Sequence, residues 1–165
     1  MHDSPAWPSD KKALYQLLHD QMAALAEGCS SPLACMANCA ALLWEAMPDI
    51  NWAGFYLLKG NELILGPFQG KVACTTIRIG RGVCGTAVAE KKIQLVPAVH
   101  QFPGHIACDS ASNSEIVLPL IFQNVLYGVM DIDSPLLARF DEDDLQGLSQ
   151  LCHVLASASW KEGLL

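Results

Sequence analysis

Two strongly apolar stretches, Glu115 to Phe122 and Leu126 to Asp133, flank Gln123-Asn124. Apolar runs of this length on either side of a short polar turn read as an antiparallel β-hairpin. An isolated hairpin is marginal in water, so this one demands further strands and a covering layer. The preceding region supplies them. Trp52 to Leu58, the turn Lys59-Gly60-Asn61 and Glu62 to Leu65 form an earlier hairpin. Gly66-Pro67-Phe68-Gln69-Gly70 reads as a loop, and Val72 to Ile79 as an extended segment with an irregularity near Cys74. Gly80-Arg81-Gly82 marks a sharp turn before a short helix at Val83 to Glu90. Ile93 to Val96 is a brief strand ended by Pro97.

Helical patterns bracket these strands. Leu14, Leu17, Leu18, Met22 and Leu25 recur on one face over residues 10–27, and Gly28 supplies a C-terminal stop. Ser31 caps a second helix that starts at Pro32, where a missing N–H is harmless, and ends before Pro48. In a last helix Phe140 can staple to Leu145 across a cap at Asp141, with Asp144 three residues on. Residues 1–9 read as a loose tail and 10–165 as one domain, as a chain of 165 residues without repeats suggests. The order helix, helix, strands, short helix, strands, helix predicts an α+β fold, with helices packed mainly on one sheet face and irregular segments on the other.

Charge and cysteine usage narrow the function. Ten Lys and Arg face seventeen Asp and Glu, and the only short basic pairs are Lys11–Lys12 and Lys91–Lys92. Nucleic acid needs clustered positive charge, so it is not an expected partner, and a cationic small ligand suits the balance better. No apolar run is long enough to span a bilayer, and the polar start lacks a secretory pattern. The seven cysteines are an odd number in a chain that can bury a core without staples. These features predict a cytoplasmic protein with reduced thiols at rest and no membrane partner.

Several groups could carry chemistry. Gly80, Gly82 and Gly85 match a dinucleotide-loop spacing but lack the parallel βαβ context and the following acid, so a packing turn suffices. Cys35 and Cys39, or His100, His105 and Cys108, could be drawn into a zinc site, although the tighter Cys-x-x-Cys pairing is absent. Core packing is the simpler reading of the helical pair. Cys74, Cys84 and Cys108 lie instead at loops or segment boundaries. Cys84 falls in the first turn of the short helix, where backbone N–H dipoles and Arg81 would lower a thiol pKa. Cys108 sits in a long irregular connection beside His105 and Asp109, where a mobile thiol can meet a second one and condense to a disulfide. Asp131 and Asp133 are two apart on one strand, and hairpin pairing brings Glu115 beside them. Three converging carboxylates suit an ammonium group, and their crowding would raise at least one pKa enough to make a proton donor. Trp52 or Tyr56 could line an apolar wall for a thioether-like side chain.

Taken together, Asn51-Trp52-Ala53-Gly54-Phe55-Tyr56, Leu65 to Lys71 with Cys74, Gly80 to Gly85, His105 to Asp109, Ser114 to Pro119 and Gly128 to Ser134 resemble the free methionine-(R)-sulfoxide reductase family. The likeness runs from about residue 10 to 160. It implies a GAF domain with a six-stranded antiparallel sheet flanked by helices, a homodimer, and a pocket closed around free methionine sulfoxide. It further implies that Cys108 is the nucleophile, with Cys74 or Cys84 resolving its sulfenic acid. Glu115, Asp131 and Asp133 would line the amino-acid end, with Trp52 and Tyr56 near the substrate. Glu115 or Asp133 would protonate the departing oxygen. Thioredoxin or a similar dithiol would recycle the disulfide, with no metal or organic cofactor. The alternative is a non-catalytic GAF module that senses a small ligand.

Overall fold

The computed structural model describes residues 5–106 and 110–157. Helices α1 (Lys11–Glu27) and α2 (Pro32–Ala46) precede strands β1 (Trp52–Lys59), β2 (Glu62–Gly70) and β3 (Thr76–Arg78). Then come α3 (Gly82–Glu90), β4 (Gln94–Val96), a 3-10 turn at Val99–Gln101, β5 (Ser114–Phe122), β6 (Val125–Ser134) and α4 (Glu142–Ser157). The strands form one six-stranded sheet in the order β3-β2-β1-β6-β5-β4, antiparallel at every pairing.

Local chemistry sets the helix starts. The Asp10 carboxylate accepts from the Ala13 N–H at 2.9 Å, and Ser31 Oγ accepts from Ala34 N–H at 3.2 Å with Pro32 in the first turn. Before α4, Asp141 and Asp144 exchange bonds. The Asp141 N–H donates to Asp144 Oδ2 at 2.8 Å, and the Asp144 N–H donates to Asp141 Oδ1 at 3.2 Å. This reciprocal box satisfies two helix-end donors at once. Asp144 is 1% exposed and also accepts from Tyr15 Oη at 2.7 Å and Lys11 Nζ at 2.6 Å. A buried carboxylate is tolerable only when so matched. The same residues pin α1 against α4, where Gly147 leaves room for the Tyr15 ring.

The sheet separates two cores. Ala53, Phe55, Ile116, Leu118, Met130 and Ile132 face α1, α2 and α4. The alternate positions Trp52, Tyr56, Val117 and Val129 face α3. This follows from the two-residue side-chain period of a strand.

Three expectations change. The predicted loop Gly66–Gly70 belongs to β2. Pro67 is admissible there because β3 pairs only with Glu62 to Ile64, so no neighbour on that side needs its missing N–H. Of the extended segment Val72 to Ile79, only Thr76–Arg78 joins the sheet. Cys29 and Cys35 are disulfide-bonded, with Cα atoms 5.7 Å apart. The expectation of reduced thiols therefore fails for this pair, because the Gly28–Ser31 connection folds Cys29 back over the first turn of α2, and it fails for Cys74, which is also disulfide-bonded. Cys39 remains a buried thiol in the helical core, as its apolar surroundings suggested. Among the described residues, no helix is long and apolar enough to cross a membrane.

Candidate functional site

Strand register assembles the site. Trp52 lies opposite Asp133, Gly54 opposite Asp131, and Tyr56 opposite Val129 across β1 and β6. On the other flank of β6, Glu115 lies opposite Asp133 and Val117 opposite Asp131. Residues directly opposite one another share a face. Three strands therefore present Trp52, Tyr56, Asp131, Asp133 and Glu115 to the same side. The α3 helix closes over that side and brings Cys84, because Gly85 lets it approach the preceding turn. A Cβ at Gly85 would lie 2.5 Å from the Arg78 carbonyl oxygen. This packing role accounts for the glycine spacing, and an antiparallel sheet offers no dinucleotide crevice there.

Together these six residues line a cleft holding about 560 Å³ of empty space, its open mouth included. That is within the range of small-ligand pockets, ~300–1,000 Å³. One wall is aromatic: Trp52 stacks on Tyr56 at 5.8 Å and on Phe68 at 5.2 Å between ring centroids. The wall is also anchored. Trp52 Nε1 donates to the Lys71 carbonyl at 3.2 Å, and Tyr56 Oη donates to the Cys74 carbonyl at 2.9 Å. The segment bearing Cys74 is thus tied to the wall, with Cys74 half-buried against the α3-side core and disulfide-bonded. Cys108 lies outside the described residues.

The floor is acidic and buried. Cys84 Sγ donates to Asp131 Oδ2 at 3.3 Å and lies 4.0 Å from Glu115 Oε1. Glu115 is 7% exposed and Asp131 6%. Burial, then the charges of Asp131 and Asp133, push the Glu115 pKa well above the usual carboxylate range. Burial raises Asp131 to about 6, opposed by hydrogen bonds from Glu115 and Cys84. Burial thus holds both carboxyls toward the protonated form, Glu115 the more strongly shifted. The expectation of an acidified Cys84 is overturned: burial first, then Asp131 and Glu115, push its pKa well up. A helix N-terminus is worth at most about 2 kcal/mol to an anion, and here it competes with desolvation and two carboxyl groups. Chemically, the floor offers a proton from Glu115, while the half-buried Asp133 can face an ammonium group.

Sequence reading missed Arg81, His105 and Ser112, which also line the cleft. Arg81 enters the sequence reading for its effect on Cys84, and His105 as a metal ligand and a neighbour of Cys108. Ser112 is buried and accepts from Asn51 Nδ2 at 3.2 Å, a pairing across 61 positions that no local pattern reveals. Cys35 is in a disulfide and so unavailable to a zinc pair with Cys39; of the other grouping, the His100 and His105 rings meet edge-on at 5.9 Å and Cys108 lies outside the described residues.

A family model for the GAF domain matches residues 13–158. The chain is 54% identical over 157 residues to the free methionine-R-sulfoxide reductase of Escherichia coli, covering 93% of this chain and 95% of that protein. It belongs to the free methionine-R-sulfoxide reductase family. Its fold also matches the family's enzyme from Neisseria meningitidis, solved in complex with its substrate, with a TM-score of 0.92, 44% identity, and coverage of 96% of this chain and 95% of that one. The family's reduced Staphylococcus aureus structure matches with a TM-score of 0.85 and 50% identity over 87% of this chain and 94% of that one.

Proposed function

We propose that this protein reduces free L-methionine (R)-S-oxide to L-methionine, with Cys108 as nucleophile. The observation that carries the reading is the buried Glu115–Asp131 carboxyl pair beneath an aromatic wall, in a chain 54% identical to an enzyme named for this reaction. The Cys108 thiolate attacks the sulfoxide sulfur. Glu115 gives its proton to the sulfoxide oxygen, which transfers to Cys108 as the hydroxyl of a sulfenic acid, and methionine departs as the reduced thioether. Burial holds the Glu115 pKa well above the usual carboxylate range, which favours it over the more open Asp133 as donor.

Cys74 then attacks the sulfenic sulfur, forming a disulfide and releasing water. Cysteine arithmetic supports this choice over Cys84. Cys74 is disulfide-bonded, Cys29 and Cys35 are bonded to each other, and Cys39, Cys84 and Cys152 are free thiols. A bonded Cys74 and a free, buried Cys84 support Cys74 as the resolving thiol. Thioredoxin or a similar dithiol restores both thiols by exchange, becoming oxidised itself. Asp133 faces the substrate ammonium, with Trp52 and Tyr56 against the thioether end. A peptide-bound sulfoxide lacks that ammonium and brings extra chain, so it is excluded. The cytoplasmic setting and the homodimer are parts of the same proposal, the latter open to a mass measurement in solution.

The test is turnover of each methionine sulfoxide diastereomer with thioredoxin or dithiothreitol. Consumption of the R form, abolished by Cys108→Ser, is the expected result. Tight sulfoxide binding without turnover would replace this reading with that of a non-catalytic ligand module.

A further inference from the structure

Among the described residues, one group of three potential metal ligands comes together: Cys84, Glu115 and Asp131. Their ligand atoms all lie within 4.8 Å of one another. The arrangement is close to what a tetrahedral ion requires. Metal–sulfur and metal–oxygen bonds of about 2.3 and 2.0 Å place sulfur and oxygen ~3.5 Å apart at a tetrahedral angle. The observed separations, 3.3 Å to Asp131 Oδ2 and 4.0 Å to Glu115 Oε1, bracket that value. A second observation points to a ligand. Asp131 Oδ1 is buried without a hydrogen-bond partner, on a side chain that is 6% exposed and lines the cleft. Unsatisfied buried oxygens are uncommon and mark missing ions or waters.

We propose that Cys84, Glu115 and Asp131 bind a thiophilic divalent cation, zinc-like in its preferences, at the floor of the cleft. The donor set selects the class. Magnesium and calcium want six or more oxygens, which this floor does not supply, whereas a thiolate with two carboxylates suits a four-coordinate borderline-soft ion. On binding, Cys84 and Glu115 each release a proton to solvent and form a bond to the metal, with no change of oxidation state. Protons and metal therefore compete for the same groups. The fourth position opens to the cleft and takes water. The ion would be an inhibitor rather than a cofactor, because it removes the Glu115 proton and fills the floor. That consequence for turnover rests on the reductase reading, while the binding itself does not.

Cobalt(II) added to the fully reduced full-length protein tests the site directly. The expected result is one equivalent bound per chain with a sulfur-to-cobalt charge-transfer absorption, lost in Cys84→Ser, kept in Cys74→Ser, and reversed by zinc. Absence of the absorption in the unmodified protein, or its survival in Cys84→Ser, overturns the proposal. Should Cys84→Ser fail to fold by circular dichroism, the shape-preserving Asp131→Asn decides: at least tenfold weaker cobalt binding supports the site and unchanged binding refutes it. Turnover without added metal, measured on the same preparation, reports on the reductase reading alone. Binding without turnover sinks that reading, and turnover without binding sinks the metal site.

Discussion

Gly54→Ala probes the closest packing in the cleft wall. A Cβ at residue 54 would lie 2.3 Å from Phe68 Cβ and 2.8 Å from both Phe68 Cα and the Pro67 carbonyl oxygen. It falls about 1 Å short of ordinary van der Waals contact, and two of the three obstacles are backbone. No rotamer change relieves that, so β2 must move away from β1, beside the bulge between Gly54 and Tyr56. Overpacking of this kind costs about 1–3 kcal/mol. For a chain of 165 residues, each kcal/mol lowers Tm by about 2–4 °C, so the expected fall is about 2–12 °C. Phe68 moves with β2 and carries away part of the stack on Trp52, so KM for the sulfoxide rises while the buried carboxyl pair, and with it kcat, changes less. Thermal unfolding by circular dichroism and steady-state kinetics read the two effects. Gly28→Ala is the control, since its Cβ would meet nothing closer than 3.8 Å. A Gly54→Ala protein that melts within about 1 °C of the original, with unchanged KM, would refute the claim that this wall is held by close strand approach.

Glu115→Gln keeps the shape of the floor but removes the donated proton; kcat should fall about 10²–10⁴-fold, with a smaller change in KM, in a single-turnover assay. In Asp133→Asn the balance should reverse, with KM rising more than kcat falls. The Asp141 pKa is lowered to about 2, chiefly by its hydrogen bond from Lys11. A depressed carboxyl stabilises the fold above its unfolded pKa of 3.8, and that contribution disappears as pH falls toward 2. Asp141→Asn, which keeps the cap, should therefore flatten the acid limb of a stability–pH curve measured by denaturant unfolding. Cys29→Ser opens a loop with a sequence separation of 6. The chain-entropy model puts the loss at about 2 kcal/mol, read as the difference in denaturant unfolding between the two oxidised proteins.

Much of this architecture is legible in local sequence. The caps at Ser31 and Asp141 are short-range signals, and the structure places helices where they predict them. The alternation Met130-Asp131-Ile132-Asp133 states which residues face the helices and which face the cleft, and the strand pairing agrees. What escaped depends on partners distant in sequence. The continuation of β2 through Pro67 is allowed by where β3 stops, which Pro67 itself does not encode. Cys84 sits at a helix start that favours a thiolate, yet burial first, then Asp131 and Glu115, 47 and 31 positions away, push its pKa up. Cys35 looked paired with Cys39 on one helix face because the turn that returns Cys29 has no sequence signature.

A sheet with a different core on each side divides the labour of the chain. Substitutions at inward positions such as Phe55 and Ile132 are judged by the helical layer, and those at Tyr56 and Asp131 by whatever occupies the opposite side. A lineage can thus rewrite its chemistry while leaving its foundation untouched.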